Sequence, residues 1–284
     1  MTILYTKPSV DNIITAFTAL KASRPLVQCL TNTVSVNFMA NVLLSSGASP
    51  AMVDNPEEAA EFIHFAHAAL INLGTPTTAL VTAMQLTIAE AQKIGKPWVL
   101  DPIAAGSLSW RGQLAADFLV FKPAVIRGNA SEIIGLAGLG QNKSGFDSSH
   151  DSADAVRAAQ SLLVHATAVS ASGEIDYIVG KTIENECEKT WLVKIHGGSE
   201  FFPLVTASGC SLGALVAAYC GVTDPFNAVV AAHAHFAVAG KQAHARSAGP
   251  GTFQREFLDA LYLVQPQDFL ELLNFNISEL DNSC

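Results

Sequence analysis

The run Thr206-Ala207-Ser208-Gly209-Cys210 passes directly into the apolar stretch 211–219. Small side chains let a backbone approach a ligand, and a helix start presents free N–H groups at a positive dipole end. That combination suits a phosphate or a developing anion. Cys210 stands in that field, where a thiol pKa is lowered and the group can act as a base or as a polar contact to a substrate hydroxyl. A competing account is a tight loop that packs a helix closely on a sheet, with Cys210 an inert core thiol.

Two further places carry chemistry-bearing side chains. Asp101 ends the apolar run 98–100 and precedes Pro102, whose ring keeps it extended. A carboxylate at the carboxyl end of a parallel strand lies where open α/β sheets bind ligands, although a loop-turn aspartate has the same local look. In Arg127-Gly128-Asn129-Ala130-Ser131-Glu132, Asn129 and Glu132 have the spacing of a capping box at a helix start. Arg127 there can clamp phosphate and Glu132 can serve a magnesium ion, directly or through water. Both accounts hold together, because a helix end that fixes a carboxylate also positions it.

These residues need elements to hold them. Short strand-like runs at 26–30, 51–53, 69–73, 98–100 and 124–126 are each followed by ten or more residues of helical pattern, which predicts a mainly parallel sheet with helices on both faces. Helices are expected over 11–22, 36–45, 57–66, 77–94, 154–164, 211–219, 225–245 and 253–262, with Gly95 as a C-cap. Asn55-Pro56, Thr75-Pro76 and Asp224-Pro225 read as capped helix starts with proline at the first helical position. Residues 138–152 read as a surface loop, and 166–205 as closely spaced strands, some antiparallel. One domain over 1–284 is expected.

Composition narrows the function. Half of the 284 residues are apolar and 14% are charged, which is ample for a sheet covered on both faces and hints at surface hidden between subunits. A formal charge of −9, from 16 Lys+Arg against 25 Asp+Glu, repels polyanions and argues against a nucleic-acid partner. An anionic cofactor must then be held by local devices. Five scattered cysteines without a C-x-x-C pair point to a reducing cytoplasm, with neither disulfide framework nor zinc. The start MTILYTKPSV lacks a signal-peptide h-region, and the longest apolar-rich stretch, 226–240, is too short to span and holds two histidines, so no membrane role is expected. No G-x-G-x-x-G follows a strand, and Gly180-Lys181-Thr182 has its preceding glycine, Gly173, at the wrong spacing for a P-loop. His64 with His67 lacks a third ligand, and His233 with His235 point differently on one helix; neither pair is assigned a function.

Taken in order, the motifs resemble those of the hydroxyethylthiazole kinase family of the ribokinase-like superfamily. The likeness covers nearly the whole chain: Thr31-Asn32-Thr33-Val34 with Asn37-Phe38, Gly47-Ala48-Ser49-Pro50-Ala51-Met52, Asp101-Pro102-Ile103-Ala104-Ala105-Gly106, Arg127 to Glu132, Ser172-Gly173-Glu174-Ile175-Asp176, Ser208-Gly209-Cys210 and Gly249-Pro250-Gly251-Thr252-Phe253. It implies a three-layer α/β/α fold and magnesium-dependent transfer of the ATP γ-phosphoryl group to 4-methyl-5-(2-hydroxyethyl)thiazole in thiamine salvage. It further implies that Arg127 and Ser172 contact ATP and that Asn32, Val34, Met52 and Ala207 border the thiazole. Asp101 and Glu132 would serve the Mg2+ ion and its waters, and Cys210 the attacking hydroxyl. A homotrimer with the pocket across a subunit boundary is also implied. Against the family pattern, Ala207 replaces a glycine, Ser172 a threonine and Gln28 a histidine. Alternative readings are a ribokinase-like kinase of another heteroaromatic alcohol, such as hydroxymethylpyrimidine, and a non-catalytic metabolite-binding homologue.

Overall fold

A computed structural model of the protein describes residues 6–139, 148–184 and 187–280. The strand and helix runs alternate as β1 (Leu26–Leu30), β2 (Ser49–Ala51), β3 (Ala68–Asn72), β4 (Trp98–Asp101), β5 (Val125–Asn129) and β6 (Ala168–Ser172), followed by β7 (Ile175–Glu184), β8 (Cys187–His196) and β9 (Asn274–Leu280). Helices are α1 (Val10–Ser23), α2 (Val36–Ser46), α3 (Ala59–Phe62), α4 (Thr78–Ile94), α5 (Ser109–Phe118), α6 (Ala130–Leu136), α7 (Ser148–Leu162), α8 (Ser208–Cys220), α9 (Pro225–His244), α10 (Pro250–Leu263) and α11 (Pro266–Leu272).

These strands form one sheet in the order β2-β1-β3-β4-β5-β6-β7-β8-β9. The first six strands pair in parallel and the last three join antiparallel, β7 and β8 as the sequence pattern predicts for 166–205 and β9 from outside that segment. Both faces are covered, which gives the expected three layers. One core gathers Phe17, Met39, Leu215 and Phe257 from α1, α2, α8 and α10; the other gathers Ala59, Met84, Phe118 and Ala158 from α3, α4, α5 and α7. Among the described residues no helix is long and apolar enough to cross a membrane.

The connection from β1 runs outward to β2 on one side, and the connection from β2 returns past β1 to β3 on the other, so the winding direction reverses beside β1. Open α/β sheets bind ligands outside the carboxyl ends of strands at such a reversal. Asn32 and Asn72 meet there, Asn32 Nδ2 donating to Asn72 Oδ1 at 2.9 Å.

Several expectations shift. The 57–66 run makes only the short α3, because the Ala59 carbonyl accepts from Gln28 Nε2 at 2.9 Å and the following turns close at i+3 spacing. The same amide takes the Val53 carbonyl at 3.0 Å, so β2 lies at Ser49–Ala51 and not at 51–53. Thr75 is not a cap: its φ is 39°, and Thr77 caps α4 by accepting from Leu80 N. Asp224 caps α9 as predicted, and Gly95 ends α4 in the left-handed region. The loop reading of 138–152 fails from Ser148, where α7 begins with residue types that suit turns as well as first helical turns; 140–147 lie outside the described residues. Helix α5, with Gly112 inside it and no clear apolar stripe, gives no periodic signal and was not expected. Gly180-Lys181-Thr182 lies inside β7, away from any helix start.

Candidate active site

Register across the sheet builds a polar row. Asn72 is opposite Asp101 and Arg127 is opposite Ser170, while the β4–β5 pairing reaches Leu100 opposite Ile126, one residue before Asp101 and Arg127. All four are buried in strands whose other residues are mainly apolar. Asn72 Nδ2 donates to Asp101 Oδ2 at 2.8 Å, and Arg127 Nη1 stands 3.6 Å from the same oxygen. Arg127 Nη2 donates to Ser172 Oγ at 2.6 Å. Asp101 Oδ1 and Arg127 Nε have no protein partner, so one acceptor and one donor of this buried pair stay available. Burial pushes the Asp101 carboxyl up to about 7; the Glu132 charge adds to the rise, and Arg127 and Asn72 oppose it.

Helix α8 lies on this row at contact distance. A Cβ at Gly209 would meet the Arg127 Nη atoms at 3.4 Å, and one at Gly213 would meet Asp101 Oδ2 at 3.2 Å. The helix starts at Ser208, earlier than the sequence suggests, which puts Cys210 in its first turn. It carries no side-chain cap, leaving first-turn N–H groups for an anion. Asn32 Nδ2 donates to Cys210 Sγ at 3.4 Å. The expected lowering of the thiol pKa is overturned: burial and then the Asp101 charge raise it, outweighing Asn32, Asn72 and Arg127. Cys210 is a protonated polar contact and not a ready thiolate.

Glu132 completes the predicted capping box, with Asn129 N donating to Oε2 at 2.8 Å. Its Oε1 accepts from Ala104 N at 3.2 Å, so one carboxylate ties the 102–106 turn to the start of α6. Among the described residues no three His, Cys, Asp or Glu side chains cluster as a ready-made cage. A cation held by one or two carboxylates together with phosphates and water needs none, and the unpartnered Asp101 Oδ1 beside Glu132 suits it.

Ala207 stands immediately before α8 with φ 68° and ψ 0°, a left-handed conformation that costs an alanine about 1 kcal/mol or more. Ala207→Gly is expected to raise the thermal midpoint by about 2 °C, the relief exceeding the added chain entropy; an unchanged or lower midpoint would show that the strain is absent. Met52, Ala207 and Cys210 pack against one core, and Val34 is 60% exposed. Gln28 holds the carbonyls at 53 and 59, and so fixes the segment that carries Met52.

The sequence reading missed Asn72, which joins Asn32 to Asp101. Its only signal is an amide closing an apolar strand just before Gly74. The unassigned histidines resolve separately. His64 Nε2 pairs with Glu90, His67 Nδ1 accepts from Leu26 N, and His235 Nδ1 lies 3.1 Å from the Tyr219 hydroxyl. His233 joins the site, as described below. A cleft of about 820 Å³ opens at the other end of the sheet, lined by Lys96, Lys122, Thr167 and Lys181 and by none of the site residues. Size alone does not make it the reaction centre, because the buried carboxylate–arginine pair lies at the carboxyl ends.

A family model described as the hydroxyethylthiazole kinase family matches residues 17–267. The chain belongs to the hydroxyethylthiazole kinase family. It is 51% identical over 257 residues to a hydroxyethylthiazole kinase of Rhodococcus erythropolis, covering 90% of each chain. It is 46% identical over 256 residues to one of Acinetobacter baumannii, covering 90% of this chain and 91% of that one. The solved hydroxyethylthiazole kinase of Pyrococcus horikoshii superposes with a TM-score of 0.83 at 31% identity, over 95% of this chain and 100% of that one. Pyridoxal kinase of Staphylococcus aureus, at 13% identity, shares the ribokinase-like fold with a TM-score of 0.59, over 90% of this chain and 98% of that one. As a hydroxyethylthiazole kinase family member the chain is a kinase, and its polar row lies where the fold binds ligands.

Proposed function

We propose that the protein transfers the γ-phosphoryl group of ATP to the hydroxyethyl group of 4-methyl-5-(2-hydroxyethyl)thiazole, in thiamine salvage. The observation that carries this reading is the buried Asp101–Arg127 pair directly beneath the uncapped start of α8. Phosphoryl transfer needs in-line positioning and neutralisation of spreading charge more than a strong base. Arg127 and Ser172 hold the phosphates, and the first-turn N–H groups of α8 stabilise the transferring group. Asp101, through its unpartnered oxygen, and Glu132 would hold Mg2+, which supplies charge neutralisation between the phosphates when bound.

Asn32, Val34, Met52 and Ala207 border the thiazole. The high exposure of Val34 supports a pocket closed by a neighbouring subunit in a homotrimer. Cys210, protonated and fixed by Asn32, orients the alcohol oxygen, which attacks phosphorus as the bond to the ADP oxygen breaks; the hydroxyl proton passes to an oxygen of the transferred phosphoryl group, and ADP leaves with the electron pair of the broken bond.

ADP release measured with the thiazole alcohol or with hydroxymethylpyrimidine, each with and without magnesium, tests the reading. Magnesium-dependent release with the thiazole alcohol is expected; preference for the pyrimidine would reassign the substrate, and no release with either would remove the activity. Cys210→Ala is expected to lower kcat by roughly tenfold with the KM for ATP within about twofold, since an orienting contact contributes less than a true general base. An unchanged kcat would take Cys210 out of the chemistry.

A further inference from the structure

His233 is fully buried on α9 and faces two groups of the sheet. Its Nδ1 lies 2.7 Å from Asp176 Oδ2, and its Nε2 lies 3.1 Å from Ser170 Oγ. The order Asp–His–Ser is that of a hydrolytic triad, yet Ser170 has no accessible surface and sits in the middle of β6, so no substrate reaches it. The network leads elsewhere. Asp176 Oδ1 accepts from Gly173 N at 3.0 Å, closing the turn between β6 and β7. Ser172 precedes that turn and receives Arg127 Nη2. Ser170 and Ser172 alternate to the same face of β6, and Ser170 is the register partner of Arg127.

The path runs by hydrogen bonds from His233 to Asp176 and from Asp176 to the Gly173 N–H, then along the backbone to the neighbouring Ser172, whose hydroxyl receives Arg127. The carboxylate accepts from Nδ1–H, which fixes the ring and leaves Nε2 to the Ser170 hydroxyl. A turn with two exposed glycine and glutamate positions has little packing of its own, so its geometry depends on Asp176.

We propose that His233, acting through Asp176, is a positioning residue for the nucleotide: it locks the 173–174 turn and thereby keeps Ser172 on Arg127. It touches no reacting atom. The proposal rests on the reading of Arg127 and Ser172 as ATP contacts, and it goes beyond that reading by assigning a role to a buried residue of α9 that packs on the same face of β6.

Steady-state kinetics on the full-length enzyme, with ATP and the thiazole alcohol varied separately, test it. His233→Phe is expected to raise the KM for ATP roughly tenfold and to leave the KM for the alcohol within about twofold, as expected when charge-assisted bonds that hold one substrate's contact are lost. His233→Asn, whose amide can still donate to Asp176, should restore most of the affinity. Equal rises in both KM values, an unchanged KM for ATP, or a His233→Asn enzyme as impaired as His233→Phe would each overturn the proposal. If the aromatic variant does not fold, Asp176→Ala decides, its side chain being 16% accessible and more tolerant of change: a raised KM for ATP supports the proposal and an unchanged one sinks it. Ser172→Ala run alongside separates the two failures. If it leaves the KM for ATP unchanged, the nucleotide reading is at fault; if it raises that KM while the His233 and Asp176 variants do not, only the positioning role falls.

Discussion

Asp101→Asn is expected to lower kcat by roughly two to three orders of magnitude while the protein stays folded, because the amide keeps the shape and the contact with Asn72 but loses the charge. The same substitution exposes a cost of the site. Burial holds the Asp101 carboxyl up at about 7, far above its ordinary value of 3.8. A carboxyl raised on folding contributes stability that is full below the unfolded value and is lost as pH rises through the folded one. Between pH 5.5 and pH 8 the ligand-free wild type should therefore lose on the order of 2 kcal/mol that the asparagine variant does not lose. In thermal melts the wild type should fall by about 4 °C relative to the variant over that interval. A constant difference between the two proteins from pH 5.5 to pH 8 would show that Asp101 is not held protonated, and a variant with near-normal kcat would displace it from the reaction.

The parts of this site that were legible in the sequence are those whose local pattern and function coincide. Pro102 marks Asp101 as a strand end, Asn129 and Glu132 announce a helix start, and the small residues before Cys210 announce another. The mainly parallel sheet with helices on both faces follows from alternation of apolar strands and helices; the strand order does not. Residues that act across the sheet were not legible. Asn72 meets Asp101 only through the register of β3 and β4, and Asp176 meets His233 only because α9 packs over β6 and β7. The thiol pKa was misread for the same reason. A helix start lowers it, but burial and a carboxylate brought from β4 outweigh that effect, and neither is local to Cys210. Strand β9 also escaped notice, since its alternating, half-exposed residues pair only with β8 at the edge.

Burial of Asp101 gives the cation beside it two duties, and substitutions at Arg127 should separate them. The guanidinium fork spans from Asp101 to Ser172 with Nε still unpartnered, a geometry that a single ammonium cannot reproduce. Arg127→Lys is therefore expected to raise the KM for ATP by roughly 30- to 100-fold, the loss of one or two charge-assisted bonds, with the charge near Asp101 largely kept. Arg127→Leu removes the charge as well. Arg127 is the largest influence pulling the Asp101 carboxyl down, so without it the carboxyl rises beyond about 7 and stays protonated further into the neutral range. The acid limb of kcat/KM, measured at fixed magnesium, should then move to higher pH in Arg127→Leu and stay close to the wild-type position in Arg127→Lys. A limb that does not move in Arg127→Leu would confine Arg127 to nucleotide binding, whereas an unchanged KM for ATP in Arg127→Lys would place the phosphates away from this row.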